Sequence, residues 1–192
     1  MKLLPSCLLL ATLAVVAPVL AETVTPTAPA RVRISPHETI SATIGKGGPR
    51  VTLTYGRPYS KDPKSGEIRK IWGGLVKWGK ADRLGADEAT LLLTQQPLQF
   101  GATVIPAGAY TLYIVPSETG ASLLAFSSAL GKWGVPVDES HDVARIPLAK
   151  SDISAQVDQL TLGLKVNAAG DGGELTIQWE LTQLSAAFTV KK

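Results

Sequence analysis

From residue 35 onward, apolar side chains recur at every second position in short runs. The runs at 39–44, 51–55, 109–115, 157–166 and 173–181 alternate in this way, which is the period of a half-buried strand and not of a helix. In 174–182, Leu175, Ile177, Trp179 and Leu181 take one face while Glu174, Thr176, Gln178 and Glu180 take the other. One dry and one wet face predict an antiparallel strand with Trp179 in the core. Leu160, Leu162, Leu164 and Val166 alternate likewise, and the Gly-rich stretch 167–173 between the two runs predicts a hairpin. Unbroken apolar runs at 89–93 and 121–126 read as central strands covered on both faces.

Eighteen Gly and 13 Pro punctuate the 192 residues, and amphipathic helical stretches do not alternate with the strands, so the α/β folds are excluded. Roughly nine short strands predict an all-β domain over 35–190, an antiparallel β-sandwich of jelly-roll kind with little helix. Gly45-Lys46-Gly47-Gly48 lacks the spacing of a phosphate loop and is read as the turn of a hairpin.

The N-terminus has a different pattern. Lys2, an apolar run over 8–20, and Val19 and Ala21 at the −3 and −1 places of a cleavage site make residues 1–21 a secretory signal. The expected product is periplasmic or secreted, starts near Glu22, and begins with a flexible Thr/Pro/Ala lead over 22–34. Cys7, the single cysteine, lies inside this signal, which leaves the mature chain no thiol for catalysis, disulfides or zinc. No later run reaches the ~18 apolar residues of a membrane span. With 19 Lys plus Arg against 16 Asp plus Glu, and Lys2 lost with the signal, the chain carries no nucleic-acid footprint. No cofactor motif is present.

Five ordered motifs suggest a family. They are Ser35-Pro36; Tyr55-Gly56-Arg57-Pro58; Arg69-Lys70-Ile71-Trp72-Gly73; Gly85-Ala86-Asp87-Glu88-Ala89-Thr90; and Pro106-Ala107-Gly108-Ala109-Tyr110-Thr111-Leu112. In this order the chain resembles the bacterial exported proteins grouped as domain of unknown function 2911. The resemblance implies a secreted or periplasmic β-rich domain with no assigned reaction. The chain departs from the family pattern at Gly56, where the pattern has Ser, at Asp82 in a Trp place, at Asp87 in an Asn place, and in an insertion over 61–67.

The polar members of these motifs are the candidate ligand-binding residues: Tyr55, Arg57, Arg69, Arg83 and Glu88. Converging guanidinium forks hold a carboxylate or sugar acid bidentately, so a small anionic or sugar ligand is the expected partner. In the structural alternative, Arg57 or Arg69 donates to Glu88 and pins a loop at the rim of the sandwich. Asp87 and Glu88 with Asp82 and Glu67 are candidate glycosidase carboxylates, but neighbours on an extended strand point to opposite faces. Asp138-Glu139-Ser140-His141-Asp142 offers carboxylates and a histidine, yet without His-x-His spacing it is read as a solvated loop with no metal site. Trp72, Trp78 and Trp133 are candidate sugar-stacking rings. There is no Gly-x-Ser-x-Gly elbow. Non-catalytic binding is the first reading and a periplasmic hydrolase the alternative; convergence of two carboxylates, or of a histidine and a carboxylate, in one open cleft would favour the hydrolase.

Overall fold

Val51, Leu53 and Tyr55 alternate with Thr52 and Thr54, and all three are buried on the inward face of β2 (Arg50–Gly56). The computed structural model describes residues 33–191; the expected signal and residues 22–32 of the lead lie outside these. The other strands are β1 (His37–Thr43), β3 (Asp82–Arg83), β4 (Ala86–Thr94), β5 (Leu98–Phe100), β6 (Thr103–Ile105), β7 (Gly108–Val115), β8 (Ser122–Ser127), β9 (Asp142–Val166) and β10 (Gly172–Val190), with a 3-10 turn at Glu139–His141. The fold is all-β and antiparallel. Among the described residues no helix is long and apolar enough to cross a membrane.

Two expectations change. There are ten strands, and β9 and β10, of 25 and 19 residues, are long. The ladder is also one continuous sheet in the order β1-β2-β4-β7-β8-β9-β10-β5-β6, with β3 on β7, because the long hairpin carries hydrogen bonding from β8 across to β5. The sheet curls as it goes: Phe100 of β5 meets Phe126 of β8 at 5.5 Å and Phe188 of β10 at 5.6 Å.

The 157–166 and 173–181 runs pair as expected, with Leu175 opposite Leu164 and Ile177 opposite Leu162. Trp179 is buried, but Leu181 does not share its face: Glu180 takes a left-handed φ of 55° at a register shift, and Leu181 is turned out to 49% exposure. A bulge reverses the side-chain alternation beyond it. Trp72 and Trp78 stack on each other at 6.3 Å, and the Trp72 indole N–H reaches the Trp179 carbonyl at 3.4 Å. These rings pin the 70–79 loop onto β10.

Side chains join the β2 end of the sheet to the outer edge of β9. Leu162 N–H donates to the Tyr55 hydroxyl at 2.9 Å, Arg57 Nε donates to the Leu160 carbonyl at 3.1 Å, and Gln159 Nε2 donates to the Arg57 carbonyl at 2.8 Å. These bonds satisfy groups that an open edge would leave to another chain.

Candidate functional site

The site grows from a wide bulge in β4. Thr54 of β2 pairs with Leu91, yet Gly56, two residues on, pairs with Ala86. Residues 87–90 therefore lose their pairing with β2, although Thr90 still pairs with Leu112 of β7. Two glycines make this possible: a Cβ on Gly56 would lie 2.2 Å from the Ala86 carbonyl oxygen, and Gly85 adopts φ 134° with its Cβ position 2.9 Å from the Gly56 carbonyl oxygen. Asp87 occupies the left-handed region at φ 64°, which an Asp tolerates better than most residues. That conformation brings Asp87 and Glu88 to one histidine: His37 Nε2 lies 3.3 Å from Glu88 Oε2 and 3.8 Å from Asp87 Oδ2. Adjacent carboxylates diverge only on an extended strand, and Asp87 departs from that conformation.

Opposite the bulge lies the loop between β8 and β9. Ala89 N–H donates to the Lys132 carbonyl at 3.1 Å, and Thr111 Oγ1 donates to the Ala129 carbonyl at 2.7 Å. Arg83 spans the gap: its Nη1 donates to the Asp87 carbonyl of the bulge at 2.7 Å and to the Trp133 carbonyl of the loop at 3.1 Å. Its guanidinium lies 5.8 Å from the centre of the Trp133 ring, within cation–π range. Between bulge and loop opens a cleft of about 260 Å³ lined by Arg83, Ala89, Thr111, Tyr113, Lys132, Trp133 and Asp138 among others. A second hollow of about 310 Å³, lined by His37, Tyr55 and Glu88, shares Ala89, Thr111 and Lys132 with it. The two form one groove with Lys132 at the divide.

The wall of the cleft is held by a polar network. Tyr113 is buried, its hydroxyl donates to Asp142 at 2.6 Å, and Arg145 donates to that hydroxyl at 2.8 Å and to Asp142 at 2.6 Å while also pairing with Glu139. Burial, then the Asp142 carboxylate, pushes the Tyr113 phenol up, so it remains protonated. Asp138 caps the 3-10 turn, and the Ser140 hydroxyl and N–H that donate to it hold its carboxyl below the usual carboxylate range. The 138–142 stretch is thus a capped and ion-paired turn, and no group of three His, Asp or Glu among the described residues is arranged to hold a metal.

Three of the five expected residues border the groove. Arg83 lines the cleft, and Glu88 and Tyr55 line the adjoining hollow. Arg57 and Arg69 do not donate to Glu88. Arg57 continues the inward register of Val51, Leu53 and Tyr55, so it meets β9, with Glu38 at 3.4 Å and Thr161 Oγ1 at 2.9 Å. Arg69 closes its own loop through the Tyr59 and Ser60 carbonyls, with Asp62 at 3.7 Å. Glu88 is instead gripped by Arg33, which holds its carboxyl down to about 2. Tyr55 turns its hydroxyl inward to Glu38, and burial followed by that bond pushes its phenol up to about 12. Sequence reasoning set His37 aside as a histidine without His-x-His spacing and passed over Lys132 and the Tyr113 network. The signal for the loop was a cation and a ring set among Gly131, Gly134 and Pro136 in a stretch without periodicity.

A family model described as Protein of unknown function (DUF2911) matches residues 35–188. The chain belongs to this family. No curated protein and no solved structure matches it. In this DUF2911 chain the motifs at 55–58 and 85–90 meet at the Gly56–Ala86 pair, so the segments that carry the family pattern also build the bulge.

Proposed function

We propose that this DUF2911 protein is an exported binding protein that takes a small anionic or sugar ligand in the groove between the β4 bulge and the 129–138 loop and releases it unchanged. The observation that carries the reading is the Arg83 bridge, which fixes the Trp133 ring and Lys132 on one side of a cleft whose other walls are already tied down by hydrogen bonds. Preformed concave sites with few polar groups are where small ligands bind. Lys132 supplies a cation at the mouth of the cleft, where its charge also acts on Asp138, and Trp133 supplies an aromatic surface for a ring. The size of the cleft suits a ligand of one ring. Calorimetric titration with hexoses, hexuronic acids and aromatic carboxylates tests this, with binding expected for at least one class and lost in Lys132→Ala or Trp133→Ala of unchanged stability. No binding across the panel would remove the reading. The leader supports export, and fractionation of cells should find the processed chain outside the cytoplasm.

A hydrolase acting on a sugar or acyl substrate is the second reading, favoured by the meeting of His37 and Glu88 in the adjoining hollow. Against it, no serine or threonine hydroxyl bonds either imidazole among the described residues, and Glu88 is committed to Arg33. Turnover of chromogenic glycosides or esters that disappears in His37→Ala would establish hydrolysis instead of binding.

A further inference from the structure

The cleft does not end at the 129–138 loop. Arg83, Val135, Pro136 and Val137 are shared with a further hollow of about 470 Å³, whose remaining wall comes from residues 79–82 and Glu139. This hollow has no lining residue in common with the one at His37 and Glu88, so the cleft lies between the two. Lys132 marks one divide and the Val135–Val137 lip the other. The lip is apolar, and Val135 stands 57% exposed on it. A ligand that crosses it presents an apolar surface to the lip and polar groups to either side.

The second hollow is built before any ligand arrives. Gly134 seats the lip on the body: its φ is 84°, and a Cβ there would lie 3.1 Å from Ala89 Cβ and 3.2 Å from Arg83 Cβ. On the opposite wall the Gly79 N–H donates to the Pro116 carbonyl at 2.7 Å, and Asp82 pairs with Ile114 in the ladder between β3 and β7. The Asp82 carboxylate has no hydrogen bond or ion pair among the described residues. Burial pushes it above the usual carboxylate range, although Arg83 acts the other way.

The charges narrow the class of ligand. Arg83, Lys132 and Asp138 line the cleft, and Lys80, Asp82 and Glu139 line the hollow beyond. Each carries both signs. A chain of one charge would meet like charge in both, whereas a hydroxyl donates to a carboxylate and accepts from an ammonium. An extended peptide takes its affinity from main-chain bonds to a sheet edge; here the binding groups are side chains. We propose that the groove takes a neutral oligosaccharide of at least two units, one ring against Trp133 in the cleft and the next beyond the Val135–Val137 lip, where Lys80 and Asp82 bind its hydroxyls. The inference rests on the binding reading for the first ring and adds the second site and the neutrality of the ligand.

The test is a calorimetric comparison of glucose with cellobiose and cellotriose, of N-acetylglucosamine with its linear dimer and trimer, and of galacturonic acid with its own dimer and trimer as the charged series. In one neutral series the dimer should bind at least about ten-fold more tightly than the single sugar, because its second ring is delivered by a molecule already held. Lys80→Ala, at an exposed side chain, should cut that gain, and Lys80→Ala with Asp82→Ala should abolish it, both leaving the single sugar's affinity unchanged. Amide resonances of residues 79–82 should shift with the dimer and stay in place with the single sugar. Should the double variant not fold, Lys80→Ala and the amide shifts decide. Single sugars that bind as tightly as their dimers in both neutral series would overturn the second site and leave the binding reading standing. A gain confined to galacturonic acid would overturn the neutrality, and a gain that survives the double variant would place the second ring elsewhere and overturn the site. Silence from all three series would overturn the inference outright, and the binding reading would then stand or fall on the aromatic carboxylates.

Discussion

The Tyr55 hydroxyl accepts from the Leu162 N–H at 2.9 Å and donates to Glu38 at 2.6 Å. One side chain thereby satisfies a strand-edge donor 107 residues away and a carboxylate on the neighbouring strand. Tyr55→Phe removes both partners without opening a large cavity, and leaves Leu162 N–H buried and unpaired. Urea unfolding should show a loss of about 1–3 kcal/mol with an unchanged m-value.

The same phenol sets an alkaline limit. Its pKa in the folded chain is pushed up to about 12, from 10, so the folded state keeps a proton that the unfolded chain gives up. That stability is complete below pH 10 and is lost as pH rises from 10 to 12, by an amount of order 2 kcal/mol. Unfolding curves across this interval should fall more steeply for the native chain than for Tyr55→Phe; parallel curves would contradict the linkage.

Arg57 is expected to act on stability and not on ligands. Arg57→Ala abandons the Leu160 carbonyl, Thr161 Oγ1 and Glu38 together, and should cost about 1–3 kcal/mol. Glu38→Gln combined with it should cost less than the two changes added separately, since they share one network. Calorimetric binding, once a ligand is found, should be unaltered in Arg57→Ala at a temperature where it is folded.

Arg83→Ala cuts the side chain that bridges the carbonyls of Asp87 and Trp133. Hydrogen exchange at the Ala89 amide, which rests on the Lys132 carbonyl, should accelerate about ten-fold or more, as expected for losing about 1.4 kcal/mol of local protection. Exchange at Leu162, whose N–H rests on Tyr55 and not on this bridge, should not change.

Much of this fold could be read from alternation alone. The inward register of Val51, Leu53 and Tyr55, the hairpin between Val166 and Gly173, and the burial of Trp179 all follow from period-two patterning in segments with one dry face. Position-by-position periodicity carries no information where the backbone leaves the pleat, and the misplacements gather there. Leu181 lies beyond the Glu180 bulge, Asp87 and Glu88 lie within the β4 bulge, and Arg57 was assigned to the rim although its own register pointed it at β9. Of the groove, Arg83, Glu88 and Tyr55 were visible because they sit in the family motifs. Trp133 was a candidate by its aromatic ring, while Lys132 and His37 join them only through contacts between segments more than 40 residues apart, which no local pattern encodes.

Gly56→Ser would place a side chain where β2 meets the bulge. Its Cβ would fall 2.2 Å from the Ala86 carbonyl oxygen, backbone that can yield only by moving the bulge. Thermal unfolding should show a loss of about 1–3 kcal/mol, the range for overpacked sites, with chemical-shift changes concentrated at residues 85–90. A neutral substitution would mean that the bulge slides freely in its register.

The bonds that close β2 onto β9 have a consequence for the order in which the molecule can be completed. Tyr55 and Arg57 leave the ribosome about a hundred residues ahead of Leu160 and Leu162, and until then their polar groups lack the β9 partners that satisfy them. Closing so long a loop is entropically slow. The strand that locks β2 is therefore one made about a hundred residues after it, and β2 waits for β9 before its outer bonds can form.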